Sequence, residues 1–151
     1  MNDKPTAITK VLSSNDTGET GGHQAGMLIP KESKALAFFP NLGNDSKNPR
    51  TSVYFYDEAN TIWKFNFIYY NNSFFDKEGT RNEYRLTGMT AWFREKCLKA
   101  GDSVTLTHDE DGIDRITFSR ATQGNVAVIM DNEGHERKRL VLGSGWKVIR
   151  Y

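Results

Sequence analysis

The sequence contains little of what several classes of protein require. Its single cysteine, Cys97, excludes an internal disulfide framework and a cysteine zinc site. We expect Cys97 to pack as a small apolar side chain within a helix. No apolar run approaches the roughly 18 residues of a membrane span, and no signal peptide is present. These absences predict a soluble intracellular protein with no membrane partner.

Histidine is also scarce, which bears on catalysis. The three histidines, His23, His108 and His135, fall in separate turns or loops and match no HxK, HExxH or nucleophile-elbow pattern. Glu32-Ser33-Lys34 matches half of a metal-dependent nuclease motif, but a surface helix face explains it better because no suitably placed acidic strand precedes it. We therefore predict no catalytic residues, no metal site and no cofactor.

The net charge is only +1, which is lower than in most nucleic-acid-binding proteins. The charges are nevertheless unevenly distributed along the chain. Three basic clusters and one acidic cluster stand out: Lys77/Arg81/Arg85, Arg94/Lys96/Lys99, Arg137/Lys138/Arg139 and Asp109/Glu110/Asp111/Asp114. This distribution is compatible with one basic face on a nearly neutral domain.

Alternating hydrophobicity predicts a mostly β protein. In the central stretch, Trp63, Phe65, Phe67 and Tyr69 alternate with other residues, which is typical of a strand with one buried face. Shorter strands are predicted at 53–56, 84–86, 104–106, 114–119, 126–130 and 137–142, and two helices at 31–39 and 90–98. We therefore predict an all-β barrel forming a single domain over residues 1–151, with residues 1–9 flexible.

Residues 13–26 form a polar stretch that includes four glycines. Loops of this length in compact domains are usually functional or disordered, and glycine permits close approach of the backbone to a partner. A solvated hairpin tip and a partner-binding loop both remain open. A nucleotide-binding P-loop is not supported, because no Gly-Lys-Ser/Thr follows Gly21-Gly22. His23 is a weak candidate for a metal ligand, because no second ligand lies nearby at a suitable spacing.

Several segments resemble a known family. The stretch from Trp63 to Leu106, with its WxFxFxYYN, YRLTG and LKAGDSVTL segments, resembles the B3 DNA-binding domain of plant transcription factors. Leu12 to Pro30, together with TRNEYRL at 80–86, is similar to the N-terminal effector domain of EcoRII-type restriction endonucleases, which has the same B3-like fold. The resemblance implies a seven-stranded open barrel with two short helices. It also implies two arms that grip DNA, an N-arm at residues 12–26 and a C-arm at residues 77–87.

The side chains of these arms suit contacts with DNA. In the major groove, Arg or Lys pairs with guanine, Asn or Gln with adenine, and Asp or Glu with cytosine. The predicted base-reading residues are Asn15, Asp16, Thr17, His23, Gln24, Arg81, Asn82, Glu83 and Arg85. The predicted phosphate contacts are Lys10, Ser13, Ser14, Thr20, Lys77, Thr80, Arg94 and Lys96. In a strand-like arm, Arg81, Glu83 and Arg85 share one face and Asn82 lies on the other, so these four cannot all read bases equally.

The predicted function is sequence-specific recognition of double-stranded DNA, with a CCWGG-type site as the first candidate target. The resemblance implies that nuclease activity lies on a separate domain of a larger protein, in the cytoplasm of a bacterium or archaeon. A related possibility is a domain of an ATP-dependent or metal-independent restriction enzyme. The open alternatives are a free-standing DNA binder with another target and a protein-interaction barrel whose glycine-rich loop binds a partner. Salt dependence separates DNA binding from the last alternative.

Overall fold

The computed structural model describes residues 4–18, 25–121 and 145–151, and the backbone alone at 127–130 and 136–139. The strands are β1 (Ala7–Val11), β2 (Gly26–Ile29), β3 (Arg50–Tyr56), β4 (Ile62–Tyr70), β5 (Glu83–Thr87), β6 (Ser103–His108), β7 (Asp114–Ser119), β8 (Ala127–Met130), β9 (Glu136–Arg139) and β10 (Trp146–Arg150). The α-helices are α1 (Ser14–Thr17) and α2 (Thr90–Glu95), and 3₁₀ turns lie at Lys34–Phe38 and Asn72–Phe74. None of the described helices has the length and apolarity needed to cross a membrane.

Eight of the strands form one strongly curved sheet in the order β10-β1-β6-β7-β3-β4-β5-β2, and β8 pairs with β9 separately. The β3–β7 pair is parallel and short, whereas the other pairs are antiparallel. The two edge strands of the sheet approach each other, because Trp146 Nε1 on β10 donates a hydrogen bond to the Leu28 carbonyl oxygen on β2 at 2.9 Å. The predicted all-β barrel with two short helices is confirmed, although the sheet has eight strands rather than seven.

Alternation along the central strands builds the core. Phe55 on β3, Phe65 and Phe67 on β4, and Leu86 on β5 all point inward and are almost fully buried. Trp92 of α2 is also fully buried, and its ring meets Phe65 edge-on at a centroid distance of 6.4 Å. Because successive residues of a strand point to opposite faces, the intervening residues of β3, β4 and β5 are displayed on the outer face of the sheet.

Both predicted helices are shorter than the sequence pattern indicated. The segment at 31–39 contains a 3₁₀ turn, Lys34–Phe38, which Ser33 caps by accepting a hydrogen bond from the Ala35 N–H. Helix α2 ends at Glu95, and Cys97 follows with a positive φ of 55°. The prediction that Cys97 packs inside a helix is wrong, since this residue is exposed beyond the helix end. Arg120 satisfies that end by donating to the Cys97 carbonyl oxygen at 2.8 Å.

The described part of the amino-terminal segment contributes a strand to the sheet. Strand β1 pairs with both β6 and β10, and its residues Ala7 and Ile8 are buried. Thr6 N–H also donates to the Arg150 carbonyl oxygen at 2.7 Å. Residues 7–9 of the segment predicted to be flexible thus lie in a paired strand, and the apolar residues at 7 and 8 anchor it. Parts of the predicted strands at 126–130 and 137–142 lie outside the described residues.

A buried carboxylate connects the turn after β3 to α2. Asp57 is 3% exposed and accepts hydrogen bonds from Trp63 Nε1 and from the Ala59 and Thr61 N–H groups, each at 2.9 Å. Lys96 Nζ lies 3.1 Å from Asp57 Oδ2. Burial acts to raise the pKa of Asp57, but the hydrogen bonds from Trp63, Thr61, Lys96 and Ala59 outweigh it and lower the pKa to about 2. The charged form is therefore the one that the fold stabilises.

The lowered pKa of Asp57 predicts that the fold loses stability at acid pH. A carboxyl whose pKa is lower in the folded state than in the unfolded state stabilises the fold above its unfolded pKa of about 3.9. That contribution is lost as the pH falls from about 4 towards 2. We expect the urea midpoint of the unmodified chain to fall more steeply over this interval than that of Asp57→Asn. Parallel pH profiles for the two proteins would show that Asp57 does not cause the acid sensitivity.

Candidate nucleic-acid interface

The outer face of β3, β4, β5 and β2 forms one wall of a groove of about 770 Å³. The strand registers explain how its side chains meet. Arg85 on β5 lies opposite Ile68 on β4, and Ile68 lies opposite Arg50 on β3. The residues that line the groove are Asn15, Gly26, Arg50, Asn66, Ile68, Tyr70, Arg81, Glu83, Arg85 and Thr87. Three arginines and one glutamate line this groove, so its lining carries a net positive charge.

Glu83 holds two of these arginines in place. Its Oε1 accepts a hydrogen bond from Arg81 Nε at 2.8 Å, and Arg81 Nη2 lies 2.8 Å from the same oxygen. Its Oε2 accepts from Arg85 Nε at 3.2 Å. Burial acts to raise the pKa of Glu83, but the hydrogen bond from Arg81 and the positive charges of Arg85 and Arg81 lower it below its usual value. Glu83 is therefore ionised at neutral pH and orients both guanidinium groups.

An aromatic ring and two backbone hydrogen bonds also fix the position of Arg81. Its guanidinium carbon lies 3.6 Å from the centroid of the Tyr70 ring. Its backbone N–H donates to Asn72 Oδ1 at 2.8 Å, and its carbonyl oxygen accepts from the Ser73 N–H at 3.1 Å. The 71–81 loop therefore determines where Arg81 enters the groove.

Close packing shapes that loop and the neighbouring strand. A Cβ added at Gly79 would lie 2.2 Å from the Asn72 carbonyl oxygen, and a Cβ at Gly26 would lie 2.5 Å from the Leu86 carbonyl oxygen. Both positions therefore need glycine for backbone contact rather than for an unusual φ. At the base of the loop, Asn71 is fully buried, and its Oδ1 accepts from the Asn48 N–H at 2.6 Å.

The described part of the N-arm differs from the loop that its composition suggested. Ser13 caps helix α1: its Oγ accepts from the Asp16 N–H at 3.2 Å, and its own N–H donates to Asp16 Oδ2 at 2.9 Å. The same Asp16 oxygen lies 2.5 Å from Lys10 Nζ, and both side chains are less than a tenth exposed. Asp16 and Lys10, predicted to contact a base and a phosphate, are thus buried against each other in this geometry, and neither lines the groove. Asn15, in contrast, is exposed and lines the groove.

The other predicted site residues are dispersed. Asn82 is not among the residues that line the groove, and its Oδ1 accepts from the Tyr69 hydroxyl at 2.7 Å. Lys96 contacts Glu58 at 2.7 Å as well as Asp57, so the prediction that it faces a phosphate does not fit its acidic surroundings. Four predicted phosphate contacts are exposed outside the groove lining: Ser14, Lys77, Thr80 and Arg94. Thr17 is also absent from the lining, and its hydroxyl donates to the Ser14 carbonyl oxygen at 3.2 Å. Thr20, His23 and Gln24 lie outside the described residues.

The sequence-based prediction missed the sheet's own contribution to the groove. Arg50, Asn66, Tyr70 and Thr87 line it alongside the arm residues. A signal was available, because the inward pattern of Phe65 and Phe67 places Asn66, Ile68 and Tyr70 together on the outer face of β4. The pairing of β4 with β3 and β5, which brings Arg50 to the same surface, could not be read from local periodicity.

Comparison with known proteins identifies the family to which the chain belongs. The family profile described as "Restriction endonuclease EcoRII, N-terminal" matches residues 2–104. The chain belongs to this family. The type II restriction enzyme EcoRII of Escherichia coli is 36% identical over 112 residues, which cover 70% of this chain and 27% of that enzyme. Auxin response factor 10 of Oryza sativa subsp. indica is 30% identical over 131 residues, which cover 86% of this chain and 17% of that protein.

Two solved structures have a similar fold. The Arabidopsis FUS3–DNA complex has a TM-score of 0.57 at 20% identity. The alignment covers 76% of this chain and 96% of the FUS3 chain. The B3 domain of the UbaLAI restriction endonuclease with cognate DNA has a TM-score of 0.50 at 23% identity and covers 80% of this chain and 72% of that chain. The chain is thus a B3-like domain of the EcoRII type. It spans only 17–27% of the two full-length relatives above, which are a plant and a bacterial protein.

Proposed function

We propose that this domain recognises a specific sequence in double-stranded DNA by placing the groove between its arms against the major groove. The observation that carries the proposal is the Arg81–Glu83–Arg85 arrangement on the outer face of the C-arm. Two guanidinium groups oriented by one carboxylate suit bidentate contact with guanine, while the remaining carboxylate lone pairs suit the cytosine amino group. Asn15 adds an amide from the N-arm to the lining of the same groove.

The family and its relatives support this function. Both structural neighbours named above are complexes with DNA, one of them with cognate DNA. As the recognition domain of a larger restriction enzyme, this chain would select the site and leave cleavage to a nuclease domain elsewhere in that protein. The CCWGG-type site expected from the EcoRII resemblance is the first candidate target.

Binding to a CCWGG duplex and to a scrambled duplex, each at two salt concentrations, tests the proposal directly. We expect tighter binding to the CCWGG duplex and weaker binding to both duplexes as salt rises, because phosphate contacts release counterions. Salt-sensitive binding without preference would reject the target but retain DNA binding, and selection from random duplexes would then identify the sequence. Absence of binding at low salt would reject DNA recognition in favour of a protein partner.

Arg50 provides a separate prediction about phosphate contacts. It is exposed on β3, across Ile68 from Arg85, and is therefore placed to meet the DNA backbone rather than a base edge. We expect Arg50→Ala to weaken binding equally on preferred and random duplexes and to reduce the slope of log K against log salt by about 1. The charge-matched control is Lys64→Ala, on the exposed face of β4 outside the groove lining. A loss confined to the preferred duplex would instead assign Arg50 to base recognition.

A further inference from the structure

We infer that Tyr70 is a positioning residue for specificity: its ring holds the Arg81 guanidinium in the orientation that reads a base. The inference rests on the proposed DNA recognition. It assigns Tyr70 a role that acts through Arg81 rather than through contact with DNA.

Strand pairing places Tyr70 where this role is possible. Tyr70 is the last residue of β4 and lies opposite Glu83 of β5, so the ring and the carboxylate are neighbours on the outer face. The Arg81 guanidinium carbon lies 3.6 Å from the ring centroid, well within the roughly 6 Å range of a cation–π contact. Tyr70 is only half-buried, so it forms part of the groove surface rather than of the core.

The contacts of Arg81 leave one edge of its guanidinium group available to DNA. Tyr70 covers one face of the guanidinium, and Glu83 accepts from its Nε and Nη2 side. The backbone on either side of the side chain is fixed by Asn72 and Ser73. The Nη2 hydrogen that points away from Glu83 and the adjacent Nη1 hydrogen are the pair of donors that these contacts do not use. The arginine is thus oriented before any DNA arrives.

Such preorganisation affects specificity more than general attraction. An arginine that samples many rotamers still attracts phosphates, because that attraction depends on its charge. Bidentate pairing with a base requires a fixed plane and direction, and ordering a mobile side chain at binding costs affinity. Loss of the ring should therefore reduce the preference between duplexes while leaving the binding of random sequence nearly unchanged.

Two substitutions separate the ring from other properties of Tyr70. Tyr70→Phe keeps the aromatic face and removes the hydroxyl, whereas Tyr70→Leu keeps apolar bulk and removes the aromatic face. We expect Tyr70→Leu to weaken binding to the preferred duplex roughly 3- to 30-fold, with Tyr70→Phe close to the unmodified chain. Binding to the random duplex should change less than about twofold in both variants, and their urea midpoints should confirm that both fold.

The decisive measurement places the same substitution in an Arg81→Ala background. If Tyr70 acts through Arg81, Tyr70→Leu should have no further effect there, because the two changes are coupled. An undiminished loss in that background would overturn the inference and assign the ring to direct contact with DNA. Equal losses on preferred and random duplexes would overturn it as well.

A second measurement needs no DNA and so separates this inference from the proposed function. The Arg81 Nε–H resonance of the free protein should exchange slowly with solvent, because Tyr70 and Glu83 shield and bind it. Tyr70→Leu should accelerate that exchange, while Tyr70→Phe should not. Equal exchange in all three proteins would overturn the positioning role. Slow exchange in a chain that prefers no duplex would leave the positioning intact and reject sequence recognition.

Discussion

Replacement of Arg81 with alanine is expected to weaken binding to the preferred duplex by about 1–3 kcal/mol and to affect a random duplex much less. The Arg81 side chain is supported by Glu83 at its Nε edge and by Tyr70 at its face. An arginine held in this way presents a planar pair of donors to guanine, and each such pair contributes about this much to discrimination. Comparison of affinities on the two duplexes measures the effect.

Two further variants sharpen this test. Arg81→Lys retains the charge but loses the planar fork, so it should resemble Arg81→Ala on the preferred duplex and retain binding to the random one. Lys64→Ala is again the control, because Lys64 is exposed on β4 outside the groove lining. A uniform loss on both duplexes after Arg81→Ala would assign Arg81 to the DNA backbone instead.

The largest expected effect on stability is at the base of the N-arm. Asp16→Ala should lower the free energy of unfolding by about 3–5 kcal/mol, because it leaves the ammonium group of Lys10 buried without its carboxylate. Lys10 and Asp16 are 8% and 7% exposed in their side chains, with Nζ and Oδ2 only 2.5 Å apart. The substitution also removes the acceptor of the Ser13 N–H at the start of α1. Urea unfolding of the two proteins measures this loss.

An exposed ion pair in the same protein provides the control for this prediction. Lys47 and Asp76 are also 2.5 Å apart, but their side chains are 48% and 44% exposed. Asp76→Ala should therefore cost no more than about 1 kcal/mol. The double variant Lys10→Met/Asp16→Leu should be more stable than Asp16→Ala, because it leaves no buried charge unpaired. If Asp16→Ala and Asp76→Ala cost the same, burial of the Lys10–Asp16 pair has no energetic consequence.

The Lys10–Asp16 pair also shows what the sequence of the N-arm could not reveal. In sequence, Lys10, Asp16 and Asn15 are equally polar residues beside a glycine-rich segment. The fold separates them: Asn15 faces the groove, whereas Lys10 and Asp16 turn inward and support it. Gly145, near the other end of the chain, approaches the Lys10 side chain so closely that an added Cβ would lie 3.2 Å from Lys10 Cε. No local pattern could reveal a contact between residues so far apart in sequence.

The sequence by itself determined the class of fold and the composition of the C-arm. Alternation of Phe65 and Phe67 with polar neighbours requires a strand with one buried face, and the alternation of Arg81, Glu83 and Arg85 gives them a common face. Only the tertiary structure decided which residues share the groove. Strand pairing brings Arg50 and Tyr70 to the groove, burial keeps Asp16 and Lys10 out of its lining, and ion pairs with Asp57 and Glu58 hold Lys96 elsewhere. The physical reason is that side-chain direction along a strand is a local property, whereas pairing and burial depend on distant segments.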